Sequence, residues 1–251
     1  MAIRKEAFIA AGGVVVVWQI AAFFFPPFLF PPVPAIFRQF LDIFTKGSQV
    51  SSALATFARI LAGMAGAFVV GGLVAIAMGA SKKVTRYCYP LLNFNQGIPA
   101  LSWVVISIIW FKNTEFRIWF IIVMTTLPAF TFQIYDAYRA ISKDLLEMSL
   151  SFHPNRVDLF RTLIWPGVVP GIVTAWKVNI GNVSRVVVVA ELVGATNGVG
   201  YELLERQQLF DMAGAIAWTL VLVAFVVISQ HAITLVERRV LRYRPESERS
   251  S

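Results

Sequence analysis

Long charge-free apolar runs alternate with short polar stretches along this chain. The runs cover residues 7–25, 60–81, 87–111, 118–135, about 167–190, and 212–236. Each is near the roughly 20 residues a helix needs to cross a bilayer core of about 30 Å. Lipid offers no hydrogen-bond partner to a bare peptide group, so an open chain crosses as helices. The pattern predicts an all-α, polytopic membrane protein with about six transmembrane helices in one domain, 1–251. The first run is longer than a signal-peptide core and no small-x-small site follows it, so it is expected to be a retained span. Gly63, Gly66, Gly71 and Gly72 in the second run allow helices to approach closely. Pro90 and Pro99 in the third and Pro128 in the fourth predict kinks or breaks. The fifth run is interrupted by Lys177 and Arg185.

One long polar-amphipathic segment separates runs four and five: KDLLEMSLSFHPNRVDLFRTLIWPGVVPGI, residues 143–172. It reads as two short helices with a break. Leu145, Met148 and Phe152 share one face of the first, and Val157, Phe160 and Ile164 share one face of the second. His153-Pro154 separates them, because Pro cannot continue a helix and pushes the residue before it towards extended geometry. Asn155 is expected to cap the second piece, with Asp158 near its positive dipole end. Periodicity alone leaves two readings open, an interfacial helix on lipid headgroups and a segment that docks on a partner.

Composition agrees with the bilayer. The chain is 57% hydrophobic and only 14% charged, with mean hydropathy +0.69, where a soluble domain is about a quarter charged. The net charge of +8 would suit nucleic acid, but its distribution follows topology instead. With the N-terminus inside, fourteen of the 22 Lys and Arg fall on inner flanks, among them Lys82, Lys83, Arg86, Arg139, Lys143, Arg156, Arg161, Arg238 and Arg239. Both termini are then cytoplasmic, and so is the 143–165 loop. No basic patch with interleaved aromatics is left for nucleic acid. The lone Cys88 sits in an apolar run and forms no intrachain disulfide. The tail 244–251 is polar.

Chemistry-bearing motifs are scarce. No GxxxxGK[ST] sequence is present, so nucleotide binding is not expected of this chain. GATNGVG, residues 194–200, reads as a turn. His153 and His231 are too isolated for a metal or a triad. No catalytic residue and no metal site are assigned.

The 143–172 segment resembles the EAA loop of inner-membrane permeases of binding-protein-dependent ABC importers: Glu-Ala-Ala, three residues, Gly, nine residues, Ile-x-Leu-Pro. Glu147 stands at the Glu and Pro166 at the final Pro, with the spacing intact. Met148 and Ser149 replace the two Ala, His153 the Gly, Leu163 the Ile and Trp165 the Leu. The Gly position matters most, since a turn Gly makes freely at positive φ is harder for His. The likeness continues in one register over about 30–240. It includes the stretch 32–45, Arg59-Ile-Leu-Ala-Gly-Met with Gly72 and Gly79, Gln96-Gly-Ile-Pro-Ala with Trp110-Phe111, and Ala190-Glu191-Leu-Val-Gly-Ala followed by Gly198-Val-Gly200-Tyr201. It points to the nitrate/sulfonate/taurine/bicarbonate-type branch. Asn182-Val-Ser-Arg185 and Val104-Val-Ile depart from that branch's usual sequence.

The resemblance implies a type I ABC importer permease fold with a cytoplasmic coupling helix, in a bacterial inner membrane. It implies two ATPase subunits that hold the ATP and Mg, a second permease copy or paralogue, and an extracytoplasmic binding protein that delivers the solute. Coupling would fall to Glu147, Met148, Ser149, Phe152, His153, Pro154, Asn155 and Arg156. The polar residues of run five, Lys177, Asn179, Asn182, Ser184 and Arg185, with Glu191 near its outer end, are expected to line the path. Lys177, Gly181 and Arg185 form one stripe, and charges at membrane depth require protein or water around them. An anionic solute such as nitrate, a sulfonate, bicarbonate or an organic acid is expected. A competing structural reading gives Arg185 an acidic partner and lets Lys177 snorkel. Two other classes fit less well: a membrane-embedded scaffold, and an ion-coupled secondary transporter, which commonly shows paired repeats.

Overall fold

The computed structural model describes residues 5–241; the polar tail 244–251 and Arg4, Arg242, Arg244 and Arg249 lie outside them. Every regular element among the described residues is helical: α1 Lys5–Phe24, α2 Val33–Thr45, α3 Gly47–Ala80, α4 Lys82–Gly97, α5 Ala100–Trp110, α6 Thr114–Arg139, α7 Lys143–Ser151, α8 Arg156–Leu159, a π turn Phe160–Ile164, α9 Trp165–Leu192, α10 Val199–Gln208 and α11 Met212–Val240. The chain forms two compact units, Met1–Phe57 with Glu191–Phe225, and Ala58–Ala190 with Val226–Ser251.

Four helices are long and apolar enough to cross a membrane: α3, α6, the continuous stretch Arg156–Leu192, and α11. The third apolar run is not one straight helix. It folds as α4 and α5, which meet at 94°. Pro99 supplies no N–H and forces Ile98 out of the helical region, to φ −78 and ψ 122. Pro90 and Pro128, by contrast, stay inside α4 and α6. Helix α1, which holds the first apolar run, is 20 residues long. Four of the six expected runs thus lie in long apolar helices, the third in the bent α4–α5 pair and the first in α1. Charge-free runs also understate helix length: α3 starts at Gly47, well before the 60–81 run, because helices continue past the charged residue that ends an apolar stretch.

In the first unit, α1 is tied to the start of α2. Trp18 Nε1 donates to the Pro31 carbonyl at 3.0 Å, and the Gln19 side chain accepts from Val33 N at 2.9 Å. Phe57 and Phe225 stack with centroids 4.0 Å apart.

In the second unit, α6 is the most enclosed span. Ile118, Ile121, Ile122 and Phe130 of α6 are fully buried, as are Ile60, Met64 and Ala67 of α3. Gly63 and Gly66 make that approach possible: a Cβ on Gly63 would lie 2.5 Å from Ile122 Cγ2, and one on Gly66 2.8 Å from the Trp119 ring. Phe68, Phe130 and Trp176 form a mutual aromatic cluster that ties α3 and α6 to α9. Arg59 forms an ion pair with Glu115, its Nε donating at 2.9 Å. Asn95 Nδ2 donates to the Met124 carbonyl at 2.9 Å and fastens α4 to α6.

Candidate functional site

The bent segment is built locally. Helix α7 closes with Phe152 N donating to Ser149 O at 3.2 Å and His153 N to Leu150 O at 2.9 Å. His153 then adopts φ 50, the left-handed conformation that glycine takes freely and His tolerates better than most. Pro154 prevents resumption of the helix, and Asn155 restarts it: its side-chain oxygen accepts from Asp158 N at 2.8 Å. The break and the cap thus stand where sequence chemistry puts them. The π turn was not foreseen. Pro166 carries no N–H, so the Thr162 carbonyl loses its α-helical donor. One turn widens, and Trp165 N donates to Phe160 O instead.

No residue of α7, α8 or the π turn is buried. Phe152 (80% exposed), Met148 (58%) and Val157 (56%) stand outward, while Ile164 packs against the core of the second unit. Glu147, His153, Asn155 and Arg156 are exposed beside them, while Ser149 and Pro154 are half-buried. The segment therefore offers a contiguous amphipathic surface that its own chain does not cover.

The polar residues of α9 separate into two groups. Asn179 is buried, with Nδ2 donating to Gln133 Oε1 of α6 at 2.9 Å and to the Ala175 carbonyl at 2.9 Å. Ser184 is buried and donates back to the Ile180 carbonyl at 2.7 Å. Both are spent inside the unit. Lys177 pairs with Glu237 of α11 at 3.5 Å, and Gln230 donates to its carbonyl at 3.4 Å. Asn182 and Arg185 are exposed, and Arg185 has no ion-pair partner among the described residues. The acid on another helix thus faces Lys177, not Arg185.

In the first unit, Glu191 is only 1% exposed. Its carboxylate accepts from Thr56 Oγ1 at 2.8 and 2.9 Å and from Gly200 N at 2.8 Å. Thr56 in turn accepts from Val199 N at 2.8 Å. Glu191 therefore caps the N-terminal end of α10, where the helix dipole favours negative charge, and holds the 192–200 turn to α3. Gly198 is required there. Its φ is +118, and a Cβ would sit 2.6 Å from the Glu191 carboxylate. Glu202, also buried, accepts from Ser52 Oγ at 3.1 Å. Burial pushes its carboxyl above the ordinary range, with Glu205 adding to the rise and the Ser52 bond and Arg206 opposing it. Thr56, Ser52 and Glu202 drew no attention as sequence; only the Gly198-Val-Gly200 turn after Glu191 hinted at a tight contact.

Residues 67–242 match the family of binding-protein-dependent transport system inner membrane components. The formylaminopyrimidine transport permease protein of Halalkalibacterium halodurans is 27% identical, over 91% of this chain and 92% of its own. A putative aliphatic sulfonates transport permease protein of Escherichia coli is 24% identical, over 93% of this chain and 89% of its own. Among solved structures, a chain of the inward facing MetNI methionine ABC transporter superposes with TM-score 0.62 at 19% identity, covering 75% of this chain and 92% of that one; this likeness concerns the fold.

Proposed function

This chain belongs to the binding-protein-dependent transport system inner membrane components and is a multi-pass ABC importer permease; from that premise we propose that α7–α8 couples it to an ATPase subunit and that α9 lines a path for a small organic anion. The observation that carries the coupling role is the uncovered surface of α7, α8 and the π turn, none of whose residues is buried by the rest of the chain. An amphipathic helix with its apolar face outward fits a groove on a partner, and Glu147 and Arg156 at its edges supply the charges that orient it. Two ATPase subunits hold the ATP and Mg, a second permease copy completes the pore, and an extracytoplasmic binding protein delivers the cargo. Both termini and α7 face the cytoplasm, as the Lys and Arg distribution favours.

Within α9, Arg185 and Asn182 are the path residues. Lys177, Asn179, Ser184 and Glu191 hold helices and turns in place. An exposed, unpaired guanidinium at membrane depth requires water or an anion, and its fork matches a sulfonate or carboxylate. A relative whose name is that of an aliphatic sulfonates transport permease fits that chemistry.

The test is reconstitution of the chain with its ATPase and binding protein in proteoliposomes. Glu147→Ala and the paired His153→Ala, Pro154→Ala change lower binding-protein-stimulated ATP hydrolysis and uptake about tenfold or more, while the permease still inserts. Arg185→Gln lowers sulfonate uptake but leaves the ATPase stimulation intact. Unchanged rates in the first set remove the coupling role, and unchanged uptake in the second removes the anion path.

A further inference from the structure

The second unit contains a cavity away from the polar residues of α9, at the base of α7. It is about 560 Å³ and lies where the start of α4, the end of α6 and the start of α7 converge. Lys82, Arg139 and Lys143 line it, one from each of these helices, with Thr85, Tyr135 and Tyr138 between them. Among the described residues, no acidic side chain lines it. The Arg139 guanidinium rests 5.8 Å from the Tyr135 ring centroid, which fixes its direction. The Tyr138 hydroxyl has no partner among the described residues. Three cations and a free hydroxyl with no carboxylate to balance them form a receptor for an anion rich in oxygen acceptors.

A second cavity adjoins the first. It is an apolar groove of about 440 Å³ running up α3 and α9, lined by Phe68, Leu73, Ile76, Trp165, Val168 and Ile172. Gly79, Tyr138 and Ile164 border both, so the cationic cavity and the apolar groove adjoin across these residues. The Tyr138 ring packs closely on α3 at this border, where a Cβ on Gly79 would meet it at 3.1 Å. The groove opens sideways, with Leu73 63%, Ile76 67% and Trp165 51% exposed. A ligand that fills both parts has an anionic head and a long apolar tail, and it enters from the side of the helix rather than from its end.

We propose that this pair of cavities is a binding site for an anionic phospholipid, its phosphate held by Lys82, Arg139 and Lys143 and one acyl chain laid in the α3–α9 groove. A cationic pocket at the membrane surface next to an apolar helix groove is the physical requirement for headgroup-specific lipid binding. The headgroup would bridge α7 to the ends of α4 and α6, so the lipid anchors the base of the bent segment. The assignment does not depend on what the protein transports.

The full-length chain, purified in detergent, is mixed with phosphatidylglycerol or phosphatidylcholine whose acyl chains carry bromine, and tryptophan fluorescence is followed. Phosphatidylglycerol quenches at lower concentration than phosphatidylcholine, and the extra quenching disappears in Trp165→Phe. Lys82→Gln, Arg139→Gln and Lys143→Gln each weaken the phosphatidylglycerol component roughly fivefold. All three side chains are exposed, so the substitutions leave the core intact, and Lys143→Arg retains the preference. Inorganic phosphate at millimolar concentration does not displace the lipid. Equal quenching by the two lipids overturns the site, as does a preference that survives all three Gln changes together. Displacement by inorganic phosphate reassigns the pocket to a free anion and overturns it as well. Loss of the preference when the ATPase subunit is bound assigns the pocket to the protein interface instead. Uptake and ATPase rates do not enter, so failure here leaves the transport reading standing.

Discussion

The Thr56 hydroxyl sits 2.8 and 2.9 Å from the two carboxylate oxygens of Glu191 and also accepts a hydrogen bond from Val199 N at 2.8 Å. One small side chain thus satisfies a buried acid and a backbone donor together. Thr56→Val keeps the shape and removes both bonds. The expected cost is about 1–3 kcal/mol for the buried groups left unpaired, read as a lower thermal midpoint in detergent. Thr56→Ser, which keeps the hydroxyl, restores most of it. Equal midpoints for the Val and Ser variants would show that the contact contributes nothing.

Glu202 makes stability fall with rising pH. Burial raises its carboxyl pKa, so the native state binds its proton more tightly than the unfolded chain does. Its contribution is fully present below the ordinary carboxylate pKa, about 4.3, and is lost as pH rises through the higher native value. Glu202→Gln mimics the protonated form while still meeting Ser52. The variant's stability is therefore flatter from acid to neutral pH and exceeds that of the parent at neutral pH. Thermal unfolding at several pH values checks this; parallel profiles for the two proteins would contradict it.

At φ 50, His153 occupies a conformation that costs a β-branched residue more than it costs His. His153→Gly is expected to leave the turn and ATPase stimulation intact. His153→Val is expected to cost about 1–2 kcal/mol locally and to weaken stimulation. Limited proteolysis across 152–156 and the ATPase assay read the two effects separately. Equal behaviour of the Gly and Val variants would mean that the turn's geometry is not set at this residue.

Gly63 and Ile122 form a size pair across α3 and α6. A Cβ on Gly63 would meet Ile122 Cγ2 at 2.5 Å, so Gly63→Ala destabilises by about 1–3 kcal/mol through overpacking. Ile122→Ala opens a cavity, and the double variant recovers part of both losses. A double-mutant cycle measures the coupling; strictly additive losses would separate the two positions.

What was legible in the sequence was local. The break at His153-Pro154, the Asn155 cap and the bend at Pro99 each follow from a residue that restricts its own or its neighbour's backbone, so nearby sequence is enough to locate them. The helical class followed from the length of the apolar runs. Side-chain partnerships were not legible. Sequence puts Glu191 near the outer end of a polar helix, and only the fold brings Thr56, 135 positions away, to its carboxylate. Helical spacing puts Lys177 and Arg185 on one stripe, and only the fold brings Glu237 to Lys177. Periodicity says which face a residue occupies but not what stands opposite. The π turn leaves no mark in the periodicity either, since it depends on how the backbone bonds resolve around Pro166.

The wide turn at Phe160–Ile164 carries a consequence for register. It accommodates one residue more than α-helical spacing would, so everything N-terminal to it is rotated about the axis relative to α9. Excising a single residue from it would not merely shorten the rod. It would swing α8, and with it the outward apolar face, by about 100° around the axis. The stretch between Arg156 and Trp165 is therefore the chain's angular adjustment, where a length change of one residue becomes a change of aim.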